Sequence, residues 1–273
     1  MTEKPRQRLS EFVTEVRLTG SKYVVVEGPN DRRFLVQWFE SQEDFRSQRP
    51  PVISVDSLDI DAGELLALGL NEGSRSRVIF VAMRAEQENL DLRCIADLDC
   101  GHDVDLFTGS TLIWTDFPAI ESYGFNAKTL DSLNRLFLGE RLPAGDVLLG
   151  TMSPMLADLF TVRTNNPHLP DPDIPKGLTK ERGVFKFDVA LTLVPTVAAK
   201  VPSYGAIAPS DPRSSAYGHD ICAMLFALHS NVLKNQAHVA DPEALEHLLR
   251  AAILIANDLR ENALFSTLID WAA

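Results

Sequence analysis

The stretch Lys22-Tyr23-Val24-Val25-Val26-Glu27-Gly28-Pro29-Asn30-Asp31 decides the fold. A short β-branched run meets Gly and Pro, so it predicts a strand that closes into a turn at Glu27-Gly28. Past the turn, Phe34, Leu35, Trp38 and Phe39 recur at helical spacing, and Asn30 or Asp31 suits the N-cap. Working outward, Val52 to Val55 reads as a second strand and Asp61 to Leu70 as a short helix. Ser74 to Glu88 offers Val78, Ile79, Val81, Ala82 and Met83, a set that fits helix or strand by periodicity alone. Leu92 to Ala96 is an apolar strand ending in Asp97-Leu98-Asp99. Leu112-Ile113-Trp114-Thr115 is another, followed by Asp116-Phe117-Pro118 and a helical stretch containing Glu121. Strands alternating with helices predict an α/β fold, a sheet flanked by helices. Acids follow three of the strands, and in open α/β sheets the ligand crevice lies at the carboxyl ends of the strands.

The remainder reads differently. Residues 126–165 are mostly helical, with Leu130, Leu133, Leu136 and Phe137 forming an apolar stripe. Asn165 to Pro175 is rich in breakers, and Phe185 to Pro195 alternates as a strand does. Val201 to Ser215 is a second breaker-rich segment. Asp220 to Lys234 and Glu243 to Asn257 read as helices, with a tail reaching Trp271. The expected organisation is an α/β core over 1–165, a loop-rich connection with one strand over 166–215, and a helical C-terminal region over 216–273. That last region either packs on the core or forms a dimer or partner interface.

The 273 residues are 45% hydrophobic and 23% charged, ordinary for a chain with a sizeable core, which excludes wholesale disorder, collagen and coiled coil. No apolar run approaches a bilayer span, and residues 1–22 lack the apolar stretch of a secretory signal. The expectation is a soluble, cytoplasmic protein. Cys94, Cys100 and Cys222 offer neither a disulfide framework nor a metal-binding spacing. A net charge of −12 argues against a protein that coats nucleic acid non-specifically. It is compatible with an enzyme whose carboxylates hold divalent metals, since the metals supply the positive charge.

Three pieces stand in order: Val24-Val25-Val26-Glu27-Gly28 with Asp31, then Ile95-Ala96-Asp97-Leu98-Asp99, then Asp116-Phe117-Pro118-Ala119-Ile120-Glu121-Ser122-Tyr123. Together they resemble the TOPRIM superfamily, in its branch similar to the overcoming-lysogenization-defect (OLD) nucleases. The third piece, with Tyr217-Gly218-His219-Asp220, resembles the nuclease effectors of the PARIS anti-phage system, which act with an ABC-type ATPase. The resemblance covers roughly residues 20–235 and implies a Rossmann-like, mostly parallel sheet. It implies a Mg²⁺- or Mn²⁺-dependent endonuclease that cleaves RNA (tRNA included) or DNA, with Glu27, Asp97, Asp99 and Glu121 in the catalytic set. It makes Glu27, Asp31, Asp97 and Asp99 the metal-binding set, with Glu27 shared between metals or acting as general base, and places Asp31 and Glu121 in a second site or outer shell. It also implies a homodimer, an ABC-type ATPase partner and a role as a toxic anti-phage effector. OLD nucleases use an active-site lysine, for which Lys176, Lys180, Lys186 and Lys200 are the candidates here. His219 is a candidate for proton transfer, and Lys186 and Arg32 for proton transfer or phosphate contact.

The residue types suit the chemistry. Phosphodiester cleavage needs an activated water and neutralisation of the phosphoryl oxygens, and two divalent ions about 4 Å apart supply both. Mg²⁺ prefers hard oxygen ligands and keeps several waters, so a few carboxylates suffice. Each piece also has a plain reading. Glu27-Gly28 can be a solvated strand-end turn, and Asp97 and Asp99 can be turn formers. Asp103 and Asp105 read as a solvated loop, and Glu121 also fits a capping arrangement. His219 can be a helix-start packing residue, while His102, His229, His238 and His247 have no partner at metal-ligand spacing. Arg32-Arg33 can be an exposed helix face, and Cys94 and Cys100 read as structural. A non-catalytic TOPRIM-like binding module that signals in a complex is the competing function. Nucleotidyl transfer of the primase kind ranks below both, because no second catalytic module is visible.

Overall fold

The computed structural model of the chain describes residues 6–45, 48–102, 104–167, 169–194, 210–256 and 259–272. In chain order the elements are β1 (Gln7–Arg8), α1 (Leu9–Thr19), β2 (Tyr23–Val26), α2 (Pro29–Ser41), β3 (Val52–Ser54), β4 (Leu58–Asp59), α3 (Ala62–Ala67), α4 (Ser74–Gln87), β5 (Leu92–Ala96) and β6 (Leu112–Trp114). There follow α5 (Ala127–Phe137), α6 (Gly145–Asn165), α7 (Ile174–Gly177), β7 (Leu178–Glu181), β8 (Val184–Phe187), α8 (Gly218–Asn235), α9 (Pro242–Ala256) and α10 (Ala263–Ala272). The chain forms two compact units, one made of 1–98, 103–116 and 259–273, the other of 99–102 and 117–258. No described helix is long and apolar enough to cross a membrane.

The first unit is an α/β sheet. Its four strands run in the order β3-β2-β5-β6, all parallel, with Val24 opposite Val52, Val25 opposite Cys94, and Cys94 opposite Leu112. Val24, Val25 and Val26 are all buried, as expected of a central strand covered on both faces. On one side, Phe12 and Val16 of α1 and Val78 to Ala82 of α4 join Val25, Leu92, Cys94 and Ala96 in one apolar cluster. A second aromatic group gathers Trp38, Phe39 and Phe34 of α2 with Phe265 of α10, with the Trp38 and Phe265 rings 4.9 Å apart. Helix α10 is thus part of the first unit. Both Asp116 carboxylate oxygens accept the backbone N–H groups of Ala263 and Leu264 at 3.1 Å, capping its start. Near its end the Trp271 indole donates to Asp91 at 2.6 Å.

From β2 the chain moves out to β3, then returns past β2 to β5 and on to β6. The direction of travel reverses between the neighbours β2 and β5, the place where open α/β sheets form their ligand crevice. Glu27 directly follows β2 and Asp97 directly follows β5.

The second unit is mainly helical, with one antiparallel hairpin, β7–β8. Helix α9 packs on α5 and on a 3₁₀ turn, Ile120–Gly124. The approach is close enough that a Cβ on Gly124 would lie 2.7 Å from Ile253, so glycine is required by space there. The expected strand over Phe185 to Pro195 is shorter in the structure. Strand β8 stops at Phe187, where its partner β7 begins at Leu178, and Asp188 then caps a 3₁₀ turn over Val189–Thr192. The stretch around Glu121 is that 3₁₀ turn and not a longer helix. Ser74 to Glu88 resolves as helix, and α1 is a helix that the periodicity argument passed over.

Candidate functional site

The candidate site of the first unit, at the place where the sheet topology predicts a crevice, is built from strand ends. Val26 sits opposite Ile95, so the residues that follow, Glu27 and Asp97, leave adjacent parallel strands almost level. The Asp97 backbone N–H donates to Glu27 Oε1 at 2.9 Å, fixing the carboxylate over the end of β5. The Glu27 side chain retains 18% of its exposure, so it is accessible yet partly screened from water. The neighbouring strands close the floor. Ser54, ending β3, donates from Oγ to the Glu27 carbonyl at 3.4 Å. Thr115, just past β6, accepts the Leu98 N–H at Oγ1 at 2.9 Å and donates its own N–H to the Ala96 carbonyl at 3.0 Å. Strand β5 therefore ends at Ala96 with its continuation pinned to β6.

The walls are helix starts. Helix α2 begins two residues after Glu27, and Asp31 Oδ2 accepts the Gly28 N–H at 3.1 Å. That bond gives Asp31 an evident role at the helix start. Arg32 donates Nε to the Val52 carbonyl at 2.9 Å, tying α2 to β3. Helix α4 contributes Arg75, whose Nε lies 3.8 Å from Glu27 Oε1 with the Arg75 side chain 22% exposed. Sequence reasoning missed Arg75, although a signal existed. Ser74-Arg75-Ser76-Arg77 puts two cations in the first turn of a helix, the end where the macrodipole disfavours them. Each cation there calls for an anion. Arg77 has Asp56, at 3.2 Å, and the Leu58 carbonyl, at 2.6 Å; Arg75 has Glu27.

Glu27 and Asp97 are hard oxygen donors, and they fit an ion such as Mg²⁺, which commonly binds one or two carboxylates and completes its shell with water and substrate phosphate. Among the described residues no group of three or more His, Cys, Asp or Glu is gathered to hold a metal.

The other expected site residues fall in the second unit. Asp99 donates its N–H to the Pro118 carbonyl at 2.8 Å and adopts a left-handed backbone with φ +45°, a conformation Asp tolerates better than most residues. Glu121 is 2% exposed and forms an ion pair with Arg250. Arg250 also lies 3.7 Å from Glu246, and His219 Nδ1 lies 3.1 Å from the same Glu246 carboxylate. Burial works against ionisation of Glu246, but the hydrogen bond and charge of His219, with the Arg250 charge, hold its carboxyl below the ordinary value. The hydrogen bond to Glu246 holds the His219 imidazole above its ordinary value, helped by the charges of Glu121 and Asp171.

The Tyr217-Gly218-His219-Asp220 segment is the other half of this arrangement. A Cβ on Gly218 would lie 2.5 Å from Glu121 Oε2 and 2.9 Å from the Ala119 Cβ, so the glycine makes room for the buried carboxylate. Asp220 is held by Arg163 through two bonds, 2.7 Å and 2.8 Å, and Tyr217 receives the Arg163 guanidinium over its ring at 4.4 Å. Ser122 donates to the Ala216 carbonyl at 2.6 Å. The two sequence pieces thus meet, through Ser122 with Ala216 and Glu121 with Gly218.

Lys186 pairs with Glu181, Lys176 pairs with Asp173 at 2.6 Å, and Lys180 sits over the Phe185 ring at 4.7 Å, all on or beside the hairpin. Lys200 and Asp103 lie outside the described residues. Burial pushes the Cys94 and Cys222 thiols up, which suits inert core residues. No protein-family model matches the chain, and no curated protein matches it.

Proposed function

We propose that this chain is a metal-dependent nuclease of the TOPRIM type that hydrolyses phosphodiester bonds in RNA or DNA. The observation that carries the reading is Glu27 and Asp97 side by side at the ends of β2 and β5, joined by the Asp97 N–H to Glu27 bond of 2.9 Å. Bound Mg²⁺ or Mn²⁺ would neutralise the phosphoryl oxygens. Glu27 and Asp97 would hold it. In the reaction a water oxygen bonds to phosphorus as the bond to the leaving sugar oxygen breaks. Where it acts as general base rather than as a shared ligand, Glu27, mostly buried and fixed by a backbone donor, would accept the water's proton. The proton is finally balanced by protonation of the leaving oxygen. Asp31 supports the start of α2 beside the site.

The resemblance extends the proposal to a cytoplasmic effector that works as a homodimer under an ABC-type ATPase in anti-phage defence. A second reading, a non-catalytic binding module, is favoured by one observation: Glu121, assigned to the catalytic set by the resemblance, is buried against Arg250. The test is cleavage of labelled RNA and DNA by wild type, Glu27→Gln and Asp97→Asn, with Mg²⁺ or Mn²⁺ and with the ATPase partner present and absent. Loss of cleavage in both variants at unchanged thermal stability supports the nuclease. Undiminished cleavage in both variants, or none by wild type in any condition, overturns it.

A further inference from the structure

We infer that Arg75 is the residue that grips the scissile phosphate in the β2–β5 crevice. This rests on the nuclease reading and adds to it the group that positions the substrate. Arg75 stands in the first turn of α4, where its charge opposes the helix dipole. A cation kept at that end, three-quarters buried and 3.8 Å from the carboxylate at the crevice floor, has a location that helix stability does not explain. A guanidinium is planar, permanently charged and matched in geometry to two oxygens of a phosphate. Glu27 and Asp97 alone present the crevice to a polyanion as a negative surface. Arg75, with the starts of α2 and α4, reverses that sign where the phosphate must sit. Before substrate arrives, Glu27 holds the guanidinium at the floor. With substrate bound, the same side chain turns its donors to the phosphate oxygens.

Arg77 supplies the control. It belongs to the same helix turn, and its guanidinium is placed at Asp56 and the Leu58 carbonyl. Arg32, the sequence-level candidate for phosphate contact, is committed through Nε to the Val52 carbonyl.

The experiment measures affinity for a short labelled RNA strand, and for the DNA strand of the same sequence, in EDTA at several salt concentrations. It also measures KM and kcat with Mg²⁺. Wild type, Arg75→Ala, Arg75→Lys, Arg77→Ala and Glu27→Gln are compared. Arg75→Ala is expected to weaken binding or raise KM by about tenfold and to lower the salt slope by about one, the signature of one lost phosphate contact. Arg75→Lys, which keeps the charge and loses the fork, is expected in between. Arg77→Ala is expected to bind as wild type, and Glu27→Gln to lose cleavage without losing affinity. The RNA and DNA arms show which polymer the grip serves. Wild-type affinity, KM and salt slope in Arg75→Ala overturn the inference while the nuclease reading stands. If Arg75→Ala does not fold, a wild-type result in Arg75→Lys overturns the two-oxygen grip. A wild type that neither binds nor cleaves either strand overturns both.

Discussion

Glu27 and Glu121 are the same residue type, each just past a strand or turn in the sequence, yet they stand in opposite circumstances. Glu27 keeps a fifth of its side chain exposed, bonded to a backbone N–H and level with a second acid. Glu121 is sealed in the second unit with Arg250, beside Glu246 and opposite a glycine that makes room for it. The first arrangement leaves a carboxylate able to exchange ligands. The second spends the charge on holding a 3₁₀ turn to α9 and to the start of α8. Acids in ordered motifs therefore come to opposite surroundings, which their order in the sequence does not distinguish.

The comparison can be broken most directly through activity. Glu27→Gln is expected to lower cleavage by about 10²- to 10⁴-fold, the range of a lost general base, with little change in melting temperature. Arg250→Met is expected to act on stability instead. Stripping the cation from two buried carboxylates should cost about 3–5 kcal/mol, read by urea unfolding. If Arg250→Met proves as stable as wild type, Glu121 is not structural and the contrast fails. Arg163→Met should behave alike, since it leaves Asp220 buried without its two-bond partner.

Smaller effects sharpen the contrast. Gly218→Ala is expected to cost about 1–3 kcal/mol by overpacking against Ala119 and Glu121, and a neutral result would mean the turn has room to relax. Least of all, His219 should give the second unit a pH dependence. Its imidazole is 69% exposed and faces Glu246, with Glu121 and Asp171 near and Tyr217 beside it, so solvent screening limits the effect to a few tenths of a kcal/mol. Because the folded value is raised above the usual 6.5, the stabilisation is full below that pH and is lost as pH rises through the folded value. Glu246, lowered from 4.5, adds stability above that pH which is lost as the medium acidifies through its folded value. His219→Gln should flatten the melting-temperature profile around neutrality, and an unchanged profile would remove His219 from the cluster.

The α/β sheet was legible because local signals agreed. Tyr23 to Val26, Leu92 to Ala96 and Leu112 to Trp114 are apolar runs bounded by turn formers, and buried parallel strands look like that. Helix α4 was ambiguous for a physical reason: Val78 through Ala82 are buried without interruption, so no polar face marks a helical period. The alternation from Phe185 overran because a strand lasts only as long as its partner, and the partner ends opposite Phe187. Glu27 and Asp97 could be paired from the sheet logic alone. The Arg250–Glu121 and Arg163–Asp220 pairs could not, since they join residues 129 and 57 positions apart through helix packing that no spacing encodes.

Helix α10 carries a consequence in the order of synthesis. It completes the aromatic group around Trp38 in the unit that begins the chain, and Asp116 waits for its N-terminus. Synthesis runs from the N-terminus, so β2 and α2 emerge long before Phe265. The crevice unit reaches its final packing only after the whole helical unit has been translated. The strand ends that bear Glu27 and Asp97 therefore lie in a unit that is finished late, after every residue of the helical unit has been made.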